Sequence, residues 1–192
     1  MKICKNLIIA LMCLVTIMPV MANTAVKEKL KIEVQPEEIG KRIVSNIVER
    51  RFGWRYQKVC TYYGALIFAD AFDNKNISEQ IKEGYTPFYE GKRKPHRGHV
   101  DYNVFGIWPF ELYRQFGDTK YLDLAKELAD EEWENPREDG LTNLTRFWID
   151  DMYMVGALQV QAYKSTKDRV YLDRAALQLK VYCDKLQRPN GL

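Results

Sequence analysis

Leu112-Tyr113-Arg114-Gln115-Phe116-Gly117-Asp118 and Ala162-Tyr163-Lys164-Ser165-Thr166-Lys167-Asp168 lie 50 residues apart, and their likeness decides the fold. It runs on in both directions. Downstream, Tyr121-Leu122-Asp123 with Ala125 matches Tyr171-Leu172-Asp173 with Ala175. Upstream, Asp101 stands opposite Asp151 and Gly106 opposite Gly156, while Gly64 takes the corresponding place 42 residues before Gly106. Each copy reads as an apolar helix, a turn with helix-stop and helix-start residues, and an amphipathic helix. A helix hairpin repeated at such a period is the signature of stacked helical pairs.

Outward from the repeat, helical periodicity covers most of the chain and strand alternation is nearly absent. Ile39, Ile43, Val44, Ile47 and Val48 mark one face of a first helix. A second runs from Tyr56 to Phe72 and a third from Ile77 to Tyr89. A fourth follows Asp101, bends at Pro109 and stops at Gly117. A fifth covers Asp118 to Trp133, a sixth Phe147 to Lys164 and a seventh Asp168 to Leu186. The fifth and seventh are amphipathic, as outer helices should be. The second, fourth and sixth are apolar nearly all round and belong inside. The fold class is all-α, built of inner-outer helix hairpins. The mid-helix glycines suit a closed toroid with crowded inner helices; an open solenoid also satisfies the repeat.

The N-terminus reads as an export signal. Lys2 and Lys5 precede the apolar run Leu7 to Val20, and Val20-Met21-Ala22 supplies the small residues of a cleavage site. Residues 1–22 are therefore expected to be a signal peptide, 23–35 a polar linker and 36–192 the domain, placed in the periplasm or secreted. The apolar run is short for a spanning helix, which needs about 20 residues, so no stable membrane insertion is expected after cleavage. Losing Lys2 and Lys5 lowers the net charge from +3 to about +1, which leaves no basic field for nucleic acid. Cys60 and Cys183 sit in apolar helical stretches and are expected to be buried free thiols. No metal site is expected, because His96 and His99 lack a partner at ligand spacing and belong to a basic loop that begins at Lys92.

If successive inner helices pack side by side, their equivalent ends meet at one opening. Asp101, Asp150 and Asp151 all lie where inner helices start. Asp is also a favoured N-cap, and Asp118 and Asp168 are read as caps alone. In the Asp150-Asp151 pair, one residue can cap while the other faces the cavity. Paired carboxylates on separate elements suit general acid-base chemistry on a glycosidic substrate.

Val100-Asp101 through Gly106, then Leu112 to Asp118 with Tyr121, and above all Phe147-Trp148-Ile149-Asp150-Asp151-Met152-Tyr153-Met154, resemble the unsaturated rhamnogalacturonyl and unsaturated glucuronyl hydrolases, glycoside hydrolase families 105 and 88. Leu186-Gln187-Arg188-Pro189-Asn190-Gly191-Leu192 looks like the connection that follows an inner-outer pair there. The resemblance covers about residues 37–192. It implies an (α/α)6 barrel of twelve helices, of which about seven are legible here. It implies removal of a 4,5-unsaturated uronic acid from the non-reducing end of lyase-generated oligosaccharides, of pectin or rhamnogalacturonan type, with no cofactor. It implies that Asp150 is the principal acid-base residue and Asp101 the second aspartate. Trp148 and Asp151 would shape the subsite, and Trp54 and Tyr63, with Tyr56 and Tyr62, would line the mouth. The sequence departs from the family by carrying Asp151 where many relatives have Gly, and Gly140-Leu141-Thr142 where an aromatic-His pair is usual.

Seven helices of twelve leave apolar flanks uncovered. At about 25 cal/mol per Å², a few hundred Å² of such surface costs several kcal/mol. The chain is accordingly expected to be a truncated product or partial sequence, inactive and aggregation-prone alone. The alternatives to the hydrolase are a helical-repeat module binding glycan or protein, or another α/α-barrel sugar enzyme such as an epimerase or an inverting glycosidase.

Overall fold

The computed structural model describes residues 35–50 and 52–191. The expected signal peptide, and the linker up to residue 34, lie outside the described residues. The chain divides into two units, Met1–Ile39 and Gly40–Leu192. Of the first, only residues 35–39 are described, and they hold the first turn of helix α1 (Pro36–Val48). Glu37 and Glu38 in that turn complement its partial positive charge.

The second unit continues α1 and adds α2 (Tyr56–Ala71), α3 (Lys75–Tyr89), α4 (Val100–Asn103), a 3-10 turn (Val104–Gly106), α5 (Ile107–Phe116), α6 (Thr119–Glu131), α7 (Asp151–Thr166) and α8 (Arg169–Leu186). No strand occurs among the described residues. None of their helices is long and apolar enough to cross a membrane. The inner row is α2, α4–α5 and α7, with α5 packed between α2 and α7. Each inner helix packs on the outer helix that follows it: α2 on α3, α5 on α6, α7 on α8. The chain thus forms three successive hairpins of a partial α/α barrel.

The turns repeat as the sequence does. Gly117 and its counterpart Lys167 both adopt left-handed backbone, at φ 77° and 62°. The Asp118 side chain then accepts from Lys120 N–H and the Asp168 side chain from Val170 N–H, each at 3.0 Å. Glycine takes this conformation without strain, whereas Lys167 has a Cβ against its own carbonyl. Lys167→Gly is therefore expected to leave stability unchanged or raise it by up to about 1 kcal/mol, and Gly117→Ala to lower it by about 1 kcal/mol. Urea midpoints of the two variants check this; shifts of the same sign would contradict it.

Two details of the inner helices differ from expectation. The fourth helix is divided. The 3-10 turn falls four residues ahead of Pro109, where its ring would crowd the carbonyl of Phe105, and α5 restarts with Pro109 in its first turn. There the missing N–H has no helical partner to lose. The sixth helix starts at Asp151, not Phe147, and Phe147 stands at φ 58°. Of the aligned glycines only Gly106 is crowded: an added Cβ would fall 2.6 Å from Leu158 Cδ1 and 3.3 Å from the Ala125 carbonyl oxygen. Gly64 faces open space, so close helix contact explains only one of the three. Cys60 is half-buried and Cys183 exposed; both are free, but they are not the two buried thiols expected.

The core is aromatic. Fully buried Trp108 meets Tyr62 at 4.6 Å and Tyr85 edge-on at 5.1 Å, joining α2, α3 and α5. Beneath the 132–150 loop, Gln159 Nε2 donates to the Ala129 carbonyl (2.8 Å) and to Glu132 Oε2 (2.9 Å). Glu132 is fully enclosed, and burial pushes its carboxyl up to about 8; Gln159 and Arg174 oppose the rise and Glu131 adds to it. A raised carboxyl stabilises the fold fully below the unfolded value near 4.5 and loses that contribution as pH rises through about 8. Glu132→Gln should therefore change little at pH 4.5 and stabilise by on the order of 5 kcal/mol above pH 8. Melting temperatures at both pH values test this; an increment independent of pH would exclude it.

Candidate active site

Three inner-helix starts meet at one end of the second unit. Tyr56 opens α2, His99 precedes α4 and Asp150 precedes α7. The loop that brings α7 there is tied down piece by piece. Trp133 Nε1 donates to the Gly140 carbonyl (3.1 Å), Leu141 and Thr142 are buried, and Gln178 of α8 reaches Thr145 Oγ1 (3.4 Å). Because Leu141 and Thr142 turn inward, that stretch offers no side chain to the opening.

Asp151 closes the loop onto the helix. Its Oδ2 accepts from the backbone N–H of Arg146 (3.2 Å), from Trp148 N–H (3.4 Å) and from the Tyr182 hydroxyl (2.9 Å). Its Oδ1 accepts from Arg146 Nε (3.0 Å) and Nη2. Tyr182 in turn accepts from Phe147 N–H at 3.2 Å. Phe147 is thus held in left-handed backbone by bonds on both sides of it, and the strain is local. Burial works against ionisation of Asp151, but Arg146 and Tyr182 outweigh it and hold the carboxyl below the usual carboxylate range. Asp151 is 0% exposed. Read from sequence as a substrate-binding residue, it is instead enclosed and bonded to its own loop and to Tyr182. Its carboxylate is already filled by five donors.

Arg146 is the centre of the site. The bond to Asp151 is the main cause that holds its guanidinium above the usual arginine range; burial opposes it, and the charges of Asp151, Asp101 and Asp150 add to it. Its Nη2 stands 3.7 Å from Asp101 Oδ1, its Nη1 stands 3.1 Å from His99 Nε2, and its guanidinium lies 4.6 Å over the Trp148 ring. Asp101 stands beside this cation, and the charge of Asp150 reaches it only as the last of several contributions. Asp150 is half-buried and makes no side-chain bond to its own helix. Trp148 nearby is 61% exposed, an aromatic surface with Arg146 over one face.

Asp101 opens onto a cavity of about 390 Å³ lined also by Trp54, Arg55, Tyr56, Gln57, His96 and Tyr102. Trp54 belongs to this wall, stacked on His96 (6.0 Å) with Arg93 4.9 Å over its ring. Tyr63 is not among the residues that line this cavity. Its hydroxyl accepts from Gln161 (2.8 Å) in a separate buried polar cluster with Glu111 and Arg114. Among the described residues no group of three or more His, Cys, Asp or Glu side chains could hold a metal ion.

Sequence reasoning missed Arg146 and His99. A lone arginine in Asn143-Leu144-Thr145-Arg146 fits no pattern, and His99 was read as the end of a solvated basic loop. The one available signal was position, since His99 and Arg146 flank the two candidate acids. Searches of curated proteins and of solved structures return no match to the chain. The model of Glycosyl Hydrolase Family 88 does match, over residues 31–191, a span that contains every described helix, and the chain belongs to that family.

Proposed function

We propose that this chain carries the acid-base part of a hydrolase that removes 4,5-unsaturated uronic acid from the non-reducing end of lyase-generated oligosaccharides, of pectin or rhamnogalacturonan type. The family is one of glycoside hydrolases acting on oligosaccharides with unsaturated uronic acids. What supports the finer reading is Asp101, open to the cavity and 3.7 Å from Arg146, with Asp150 at the start of the helix that follows that arginine.

The reaction is hydration of an enol ether. Asp150 gives its proton to C4, and positive charge develops at C5 and the ring oxygen. The Asp150 carboxylate then takes a proton from water as the water oxygen bonds to C5. The hemiketal at C5 opens to a ketone, and the hemiacetal left at C1 expels the remaining sugar as an alcohol. Asp101 orients the substrate from the cavity wall, and Trp148 and Trp54 present faces to the ring. Positioned acid-base help of this kind contributes about 10²–10⁴-fold. The signal-like pattern of residues 1–22 supports a setting outside the cytoplasm, in the periplasm or medium.

Unsaturated uronides absorb in the near ultraviolet and their hydrated products do not. The product of the full reading frame, mixed with unsaturated di- or trisaccharides from a pectin lyase digest, should bleach that absorbance and release a free reducing sugar. Unchanged absorbance across galacturonate- and glucuronate-derived substrates would refute the proposal.

A further inference from the structure

Two donors point at the His99 ring. Asp101 N–H stands 3.2 Å from Nδ1, and Arg146 Nη1 stands 3.1 Å from Nε2. A neutral imidazole has one bare nitrogen and one N–H, so it cannot accept from both. One contact must give way, and the choice of tautomer has a consequence for Asp101.

With the proton on Nε2, an N–H would face a guanidinium N–H at 3.1 Å, donor against donor beside a full positive charge. With the proton on Nδ1, Nε2 accepts from Arg146 in a charge-assisted bond, roughly twice as strong as a neutral one. What is given up is the Asp101 N–H, which sits in the first turn of a helix where no intrahelical acceptor exists and water can serve. There is also a gain. Asp101 Oδ1 is enclosed yet has no hydrogen-bond partner, and His99 Nδ1 stands 3.7 Å from it. A small approach converts that contact into a hydrogen bond.

We propose that His99 is a positioning residue for Asp101: Arg146 holds it in the Nδ1–H tautomer, and it donates that proton to the Asp101 carboxylate, fixing the carboxylate toward the cavity. The relay runs from buried Asp151 through Arg146 and His99 to Asp101. It explains why the first aspartate is anchored from the loop that carries the second. A shift of the 132–150 loop would therefore move both acids together. The role of His99 in turnover rests on the hydrolase reading, but its tautomer does not.

The tautomer is read directly by long-range proton–nitrogen correlation spectra of the ¹⁵N-histidine-labelled chain at alkaline pH. The sequence holds two histidines, His96 and His99, and a His96→Gln spectrum assigns them. The expected result is His99 protonated on Nδ1 in the wild type and shifted toward Nε2 in Arg146→Met. A wild-type ring carrying its proton on Nε2, or a tautomer that ignores Arg146→Met, overturns the proposal. Should Arg146→Met fail to fold, kinetics on the product of the full reading frame decide. His99→Ala should lower kcat by about tenfold or more with little change in KM. His99→Asn, whose amide N–H replaces Nδ1–H, should recover most of it, and equal losses in the two variants would overturn the relay. An inactive wild type would refute the assigned reaction and leave the tautomer result standing.

Discussion

Asp150→Asn in the full-length product is expected to lower kcat on unsaturated uronides by about 10²–10⁴-fold, with KM and thermal stability nearly unchanged. The separation of effects follows from the geometry. Asp150 occupies the N-cap position of α7, but its side chain caps nothing. Asparagine has the same shape and is an equally good residue at a helix start, so the fold loses no bond. What disappears is the proton for C4 and the carboxylate that activates water. The charge of Asp150 acts on Arg146 only as the last of several contributions, behind the Asp151 bond, so Arg146 stays in place. Steady-state bleaching and a thermal melt on the same sample give both readouts. A kcat within threefold of wild type would remove Asp150 from the acid-base role, and a large loss of stability would mean that it holds structure.

Asp151→Ala is expected to destabilise the second unit by about 3–5 kcal/mol, the usual result of removing one partner of a buried ion pair. The sequence assigned this residue to the substrate, which would have predicted a raised KM and an unchanged melt. The structure predicts the reverse order of events. Without the carboxylate, the Arg146 guanidinium, two backbone N–H groups and the Tyr182 hydroxyl lose their acceptor. Phe147 then has less to hold it at φ 58°, and the loop before α7 is free to relax. The effect depends on pH with a definite sign. Because the folded carboxyl lies below its usual range, its contribution is complete above the unfolded value of about 3.9 and is lost as pH falls through the lower folded value. Wild type and Asp151→Ala should differ most near neutrality, and the difference should narrow as pH falls below the unfolded value. Urea titrations at pH 7 and pH 3 measure this, and equal differences at the two pH values would mean that the ion pair is not the cause.

What the sequence determined by itself is the local part of the architecture. Helix faces, the 50-residue repeat, the stop at Gly117 and the caps at Asp118 and Asp168 depend on residues within a turn or two of one another, so periodicity and cap chemistry reveal them. That Asp101 and Asp150 stand at the starts of successive inner helices also follows from the repeat. The tertiary structure alone decided which of two adjacent aspartates faces outward. Phe147, Trp148 and Ile149 are as apolar as the helix that follows, and nothing in their composition marks a break. The break is imposed by Tyr182, 35 residues from Phe147, and by Asp151 folding back on its own loop. The contact between Arg146 and His99 spans 47 residues and needs two hairpins stacked before it can exist. Bonds of that range leave no period in the sequence, because their geometry is set by how helices pack and not by the residues on either side.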